Sequence, residues 1–132
     1  MTGSSDPLLR TIADKVRATQ GLELLLLFGS RARGDAGSRS DWDFGFTGSP
    51  ALDVASLLAI LTLSTGSDRT DLVDLRRASG LLRYRAARDG MLIFEARAGL
   101  FDGFWFDAVQ FWCDAGPLLE RGYAEVLERL DR

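Results

Sequence analysis

Apolar and polar positions along the chain predict four β-strands that alternate with helices. Near the N-terminus an apolar stripe at helical spacing follows Pro7, so we expect a helix that Ser5 or Asp6 caps and that Gly21 ends. Residues 22–28 (LELLLLF) are apolar on both sides of the period-two alternation, which indicates a strand buried on both faces. The stripe of the first helix comprises Leu8, Leu9, Ile12 and Val16.

A second strand is predicted over residues 41–47 (DWDFGFT), where the alternation is strict. Asp41, Asp43 and Gly45 point to one side of this strand, and three aromatic side chains point to the other. The aromatic residues are Trp42, Phe44 and Phe46. Residues 30–40 join the two strands through a polar, glycine-containing loop with room for one helical turn.

The next elements continue the alternation. A helix over residues 51–64 precedes a loop at 66–69, and residues 70–75 (TDLVDL) predict a short strand. A further helix begins near Ser79 and stops at Gly90. The expected apolar stripe of the helix over 51–64 comprises Val54, Leu57, Leu58 and Leu61.

The C-terminal third begins with a strand or edge strand over residues 91–96 and continues as an aromatic helical segment over about 102–131, interrupted near Gly116 and Pro117. The element order predicts an α/β (α+β) fold. Within the helical segment, one stripe should pack on the sheet, while Phe106, Val109 and Cys113 lie outside it. The segment either docks a partner or is covered by residues after Pro117, and the pattern favours neither. The stripe comprises Phe101, Phe104, Trp105, Ala108, Phe111, Trp112 and Ala115.

Composition narrows the function classes. With 132 residues, 46% of them hydrophobic, the chain predicts one globular domain over residues 1–132. A net charge of -3 provides no general attraction for nucleic acid, and the absence of histidine excludes a Ser-His-Asp triad within this chain. The single Cys113 is expected to be buried. No apolar run is long enough for a membrane span, so we expect a cytoplasmic protein.

The two carboxylates of the second strand are candidate metal ligands. Asp41 and Asp43 project from one face, about 7 Å apart at their Cα atoms, where their oxygens can converge on one or two magnesium ions. Two such ions would stabilise an in-line phosphoryl displacement. The alternative is a solvated polar face, but two aspartates on one strand face repel each other unless a cation offsets the charge.

The turn after the first strand is a candidate phosphate site. Gly29 lets the backbone approach a ligand closely, and the Ser30 hydroxyl adds a donor. Arg31 and Arg33 follow and can neutralise phosphate charge. By itself the segment is also consistent with an ordinary turn and solvated arginines. A buried strand, Gly-Ser and a paired-aspartate strand together form a far more specific pattern.

The third strand offers a further carboxylate, either Asp71 or Asp74, which face opposite ways. Asp71 shares its face with Val73 and Leu75, an otherwise core-facing run, where a carboxylate is costly without a cation. We therefore favour Asp71 as a third metal ligand and as the group that accepts the proton of an incoming hydroxyl. Asp74 then belongs to the solvated surface.

The segment GSRARGDAGSRSDWDFGF resembles the Gly-Ser-x10-Asp-x-Asp signature of the DNA polymerase beta-like nucleotidyltransferase superfamily. The short length, the DLVDL strand and the RRASGLLRYR segment resemble the minimal members, above all the MNT antitoxins of HEPN/MNT toxin–antitoxin pairs. The segments FWCDA (residues 111–115) and VLERL (residues 126–130) add to this likeness.

The resemblance implies the nucleotidyltransferase fold, a mixed sheet of about four strands flanked by helices. It implies Mg²⁺ at Asp41, Asp43 and Asp71, and ATP with its phosphates at Gly29 and Ser30. Among the antitoxins it implies transfer of AMP to a tyrosine of a HEPN ribonuclease toxin, which silences the toxin. Neutralisation by binding alone and transfer to a small molecule remain alternatives. We expect no direct contact with nucleic acid or a membrane.

Overall fold

A four-stranded mixed sheet forms the centre of the computed structural model, which describes residues 6–34 and 41–114. Strand β1 (Leu22–Phe28) pairs antiparallel with both β2 (Trp42–Gly48) and β4 (Met91–Glu95). Strand β3 (Thr70–Asp74) pairs parallel with β2, so the strand order is β3-β2-β1-β4. The mixed sheet that the resemblance implies is confirmed, and β4 is an edge strand.

Helices precede or connect the strands in the predicted order. They are α1 (Pro7–Val16), α2 (Ser30–Arg33), α3 (Val54–Thr65) and α4 (Gly80–Asp89), and residues 100–114 are also helical and are called α5. The single turn of α2 confirms the short helix expected after β1.

Side-chain caps define three of the helix starts, because the first amides of a helix lack partners within it. Asp6 accepts hydrogen bonds from the amides of Leu8 and Leu9, which confirms one of the two predicted caps. Asp53 caps α3, so this helix begins at Val54 and not at residue 51. Ser79 caps α4, as predicted.

Helix α1 is shorter than predicted. It ends at Val16 rather than continuing to Gly21, and Arg17 closes its last turn. Gly21 instead leads into β1 with φ 83°, and an added Cβ there would lie 2.7 Å from the Leu52 amide nitrogen. Gly21 is therefore needed where two loops approach each other closely. A single sequence does not distinguish such a glycine from one that ends a helix.

The sheet has a buried apolar layer on each face, and β1 contributes to both. Leu25 and Leu27 pack with α1 and α3, whereas Leu24, Leu26 and Phe28 pack with α4 and α5. This arrangement confirms that β1 is buried on both sides, and it explains why the strand is almost uniformly apolar.

Helix α3 buries only part of its predicted stripe. Leu57 and Leu61 are fully buried, but Val54 and Leu58 are exposed, as is Leu63. Because every residue type in VASLLAILTLST is apolar or a small hydroxyl, the sequence lacks the polar positions that would reveal which face meets the sheet.

Helix α5 likewise differs from its expected stripe. Phe101, Phe104 and Ala108 are buried against the sheet, but Trp105 and Phe111 are exposed. Phe106, Cys113 and the exposed part of the stripe all face solvent, so the expectation of a buried cysteine was wrong. Aromatic residues at positions 101, 104, 105, 106, 111 and 112 leave several faces of the helix apolar, so their spacing does not show which face is buried. Ala115 and the covering segment after Pro117 lie outside the described residues.

None of the described helices combines the length and the apolar character needed to cross a membrane.

Helix α3 carries both buried and exposed leucines, and substituting one of each gives a direct test of the fold. Leu61→Ala should lower the free energy of unfolding by about 2 to 5 kcal/mol, because it removes a fully buried side chain and leaves a cavity. Leu63→Ala, on the same helix at 81% exposure, should change it by less than about 0.5 kcal/mol. Urea titration followed by circular dichroism measures both, and equal effects would contradict the described packing of α3.

Candidate active site

Strand register brings the candidate site together at one end of the sheet. Phe28, the last residue of β1, pairs with Asp43 on β2, and Asp43 pairs in turn with Asp71 on β3. Neighbouring strands lie about 4.8 Å apart, so the Asp43 and Asp71 carboxylates leave the same face of the sheet side by side. Gly29, directly after Phe28, therefore lies beside Asp43.

The backbone at Gly29 is shaped to receive this carboxylate. Its φ of 76° lies in the left-handed region, and an added Cβ would lie 2.5 Å from Asp43 Oδ2. The Gly29 carbonyl accepts hydrogen bonds from the amides of Ala32 and Arg33, both at 3.1 Å, and this closes the turn of α2. A side chain at position 29 would displace the carboxylate, so the glycine is a steric requirement of the site.

The two aspartates of β3 have different surroundings. Asp71 lines the same cavity as Asp43. Asp74 instead accepts a hydrogen bond from the Arg76 amide at 3.0 Å and lies 3.8 Å from Arg77 Nε, in the turn towards α4. Asp71 is exposed rather than embedded in the core, because β3 is an edge strand of the described sheet. The geometry thus groups Asp71, and not Asp74, with Asp43.

A cavity of about 410 Å³ lies over this row, on the face of the sheet that carries α4. It combines three carboxylates, two guanidinium groups, glycine backbone and an apolar floor, which is a suitable lining for a charged organic ligand. The residues that line it are Phe28, Gly29, Arg33, Asp43, Asp71, Leu72, Val73, Leu82, Arg85 and Asp89.

Charge repulsion is concentrated at Asp43. Burial raises the pKa of its carboxyl, and the negative charges of Asp71 and Asp41 raise this pKa further, while Arg33 opposes the shift. The folded protein therefore holds ionised Asp43 under unfavourable conditions that a bound cation would relieve.

The donor set fits a hard divalent cation. Carboxylate oxygens from neighbouring strands suit Mg²⁺, which prefers few protein ligands and completes its shell with phosphate oxygens and water. Within residues 6–34 and 41–114, no three acidic or thiol groups are arranged as a ready-made metal cluster. Asp43 and Asp71 are the carboxylates of the sheet that line the cavity.

The remaining predicted residues are distributed differently. Arg33 enters the cavity, but Arg31 stacks on the Trp42 ring at 4.0 Å and lines neighbouring cavities instead. Ser30 begins α2, and Asp41 is exposed immediately before β2. Neither of these two described residues lines the cavity. The structure therefore separates the two arginines that the sequence analysis had grouped together.

Two cavity residues, Arg85 and Asp89, were missed by the sequence analysis. They lie on α4 and, with Leu82, follow the i, i+3, i+7 spacing of one helix face. That spacing is the signal that could have found them. Asp89 accepts hydrogen bonds from Arg88 at 2.9 and 3.0 Å and lies 3.5 Å from Arg33 Nη1. Arg88 and Arg33 together hold the pKa of the Asp89 carboxyl below its usual value.

Comparison with known proteins identifies a family and individual relatives to which the chain is similar. The family model described as "Polymerase beta, Nucleotidyltransferase" matches residues 10–98. The protein adenylyltransferase MntA of Aphanizomenon flos-aquae (strain 2012/KM1/D3) is 33% identical over 96 residues. That alignment covers 63% of this chain and 63% of the relative, so the chain matches less than two thirds of that protein's length.

Solved structures show the same fold. A toxin–antitoxin crystal structure with AMP-PNP has a TM-score of 0.72 at 24% identity, covering 90% of this chain and 98% of that one. A Shewanella oneidensis complex of MNT antitoxin with tri-AMPylated HEPN toxin has a TM-score of 0.63 at 21% identity, covering 90% and 98%. Because the family model covers more than half of the residues, the chain belongs to the polymerase beta-type nucleotidyltransferase family.

Proposed function

We propose that this chain is an antitoxin that transfers AMP from ATP, in the presence of Mg²⁺, to a tyrosine of a cognate HEPN-family ribonuclease toxin. The related MntA is a protein adenylyltransferase, and similar folds occur in complexes with an AMPylated HEPN toxin and with AMP-PNP. Because the proposed donor is ATP, we place the reaction in the cytoplasm. The partner is a HEPN-family protein encoded beside this chain.

One observation carries the proposal. Asp43 and Asp71 pair on adjacent strands, Asp43 lies against Gly29, and all three line a cavity that Arg33 also lines. This combination places paired carboxylates, a close backbone approach and a cation around one ligand-sized space, which is what transfer of a nucleotidyl group requires.

In the proposed mechanism the residues of the chain bind and orient the reactants. The Gly29 turn, Ser30 and Arg33 hold the triphosphate. Arg31, which stacks on Trp42, serves the outer phosphates from the other side of α2. Asp43, Asp71 and Asp41 would hold the magnesium, which would supply charge neutralisation for the triphosphate.

The acceptor enters from the open side of the sheet. Because β3 is an edge strand, Asp71 is exposed where a tyrosine of another protein can reach it. The phenol oxygen attacks the α-phosphorus, and the bond from this phosphorus to the bridging oxygen breaks to release pyrophosphate. Asp71 accepts the phenolic proton. The chain supplies positioning and charge stabilisation, and it forms no covalent intermediate.

A second candidate function is neutralisation by binding alone. The exposed aromatic side chains of α5, Trp105, Phe106 and Phe111, favour it, since large exposed apolar side chains are typical of protein contact surfaces. In that case the nucleotide site would be dispensable for protecting a cell from the toxin.

Charge-neutral variants test the catalytic proposal. Asp43→Asn and Asp71→Asn should each reduce AMP transfer to the HEPN partner by at least about 100-fold, since each removes charge stabilisation at the reacting phosphate. Asp74→Asn, on the same strand but in the turn, should retain most of the activity. Incorporation of labelled AMP into the purified partner measures all three variants. If Asp74→Asn alone abolishes transfer, the third carboxylate is Asp74 and the assignment of Asp71 is wrong.

The same variants separate catalysis from binding in cells. If Asp43→Asn protects cells from the toxin as well as the wild type does at equal abundance, neutralisation by binding replaces AMP transfer as the function. Failure of the wild type to label the partner at all would have the same consequence.

The unfavourable surroundings of ionised Asp43 predict that this carboxylate lowers the stability of the folded protein. Since folding raises the pKa of Asp43, its ionised form costs stability, and this cost grows as pH rises from the ordinary value through the raised folded value. Asp43→Asn should therefore melt at a higher temperature than wild type at pH 7, and the difference should vanish below the ordinary aspartate pKa. Differential scanning calorimetry measures both.

Divalent cations provide a control for the effect of Asp43 on the melting temperature. Adding Mn²⁺ with a non-hydrolysable ATP analogue should raise the melting temperature of wild type and Asp74→Asn, but not that of Asp43→Asn. An Asp43→Asn protein that melts below the wild type at pH 7 would contradict the proposed repulsion.

A further inference from the structure

We propose that Asp89 is a positioning residue that fixes the guanidinium of Arg33 inside the cavity, and that it thereby sets the affinity for ATP. This inference rests on the proposed function, because it assigns a role to Asp89 within the same nucleotide site. Asp89 is the last residue of α4, whereas Arg33 is the last residue of α2, so the contact joins two otherwise separate elements of the site.

The contact is well placed for this role. The Asp89 side chain is only 12% exposed, and its Oδ2 lies 3.5 Å from Arg33 Nη1. The Arg33 side chain is 45% exposed and lines the cavity, so a ligand can reach it while its Nη1 lies beside the carboxylate. An arginine constrained in this way loses less conformational freedom when it binds a phosphate.

Asp89 is itself fixed from behind. Arg88 donates hydrogen bonds to both of its oxygens, and the Arg88 guanidinium lies 5.6 Å from the Tyr84 ring. Tyr84 stacks on Trp112 of α5 at 4.8 Å between ring centroids. The carboxylate is therefore anchored to the packed pair of helices α4 and α5, and a rigid support of this kind is what precise positioning of a binding group needs.

Charge balance explains why a carboxylate is tolerated in a cavity for a triphosphate. Asp43 and Asp71 already make the cavity acidic, and a third unpaired carboxylate would repel the ligand. Because Arg88 and Arg33 both contact Asp89, its charge is offset locally and is used to orient Arg33. The ion pair with Arg88 alone would offset the charge of Asp89 at the end of α4. The additional contact with Arg33 is the one that links Asp89 to the nucleotide site.

A double-mutant cycle tests this role on the full chain. Calorimetry with Mg²⁺ and a non-hydrolysable ATP analogue gives Kd, and AMP transfer to the HEPN partner gives KM for ATP and kcat. Asp89→Asn should raise Kd and KM about tenfold and leave kcat within about threefold, as should Arg33→Ala. The double variant should bind no more weakly than Arg33→Ala alone, because Asp89 acts through Arg33.

Control variants separate positioning from folding. Asp14→Asn removes an exposed ion pair of the same type, with Arg17 on α1, and should leave Kd unchanged. Asp89→Glu keeps the charge but moves the carboxylate, so its Kd should lie between those of wild type and Asp89→Asn. If Asp89→Asn does not fold, the cycle is run with Asp89→Glu, whose effect must likewise disappear in the Arg33→Ala background.

The outcomes distinguish this inference from the proposed function. If the wild type binds the analogue and the Asp89 variants bind it equally well, or if their effects add to that of Arg33→Ala, the positioning role is wrong while the proposed function stands. If the wild type binds no nucleotide with Mg²⁺, the proposed function fails and this inference fails with it.

Discussion

Repulsion between carboxylates at the end of the sheet is the constraint on which the rest of the site depends. Asp43 and Asp71 are held at one register by strand pairing, and Gly29 allows the Asp43 carboxylate to lie against the backbone. Among the described residues, Arg33 is the neighbouring charge that opposes this repulsion at Asp43. A divalent cation at these carboxylates would relieve the repulsion, which is the role that the proposed function gives to Mg²⁺.

The two faces of the sheet differ, because one carries only core and the other also carries the candidate site. One face, against α1 and α3, is an apolar core, and Arg31 stacks on Trp42 at its margin. The other face, against α4 and α5, is apolar except at the cavity, where Asp43 and Asp71 of the sheet lie opposite Arg85 and Asp89 of α4. Because β3 is an edge strand of the described sheet, Asp71 remains exposed at this cavity.

Local signals predicted most of the architecture, and long-range contacts explain what was missed. The alternation in β2 and the uniform apolarity of β1 are direct consequences of their burial, so the sequence reveals both. The opposite assignments of Asp71 and Asp74 also follow from strand alternation. Asp89 was missed because its side chain contacts Arg33, which lies far away along the chain. The exposed Leu58 was missed because a uniformly apolar helix does not show which face is buried.

The outward side of α3 has a practical consequence for handling the protein. This twelve-residue helix has no charged side chain and presents Val54, Leu58 and Leu63 to solvent. A net charge of -3 is at the low end of the range that keeps small domains apart in solution. A charged substitution at position 63, where the side chain is 81% exposed, would therefore add repulsion between molecules without disturbing the core.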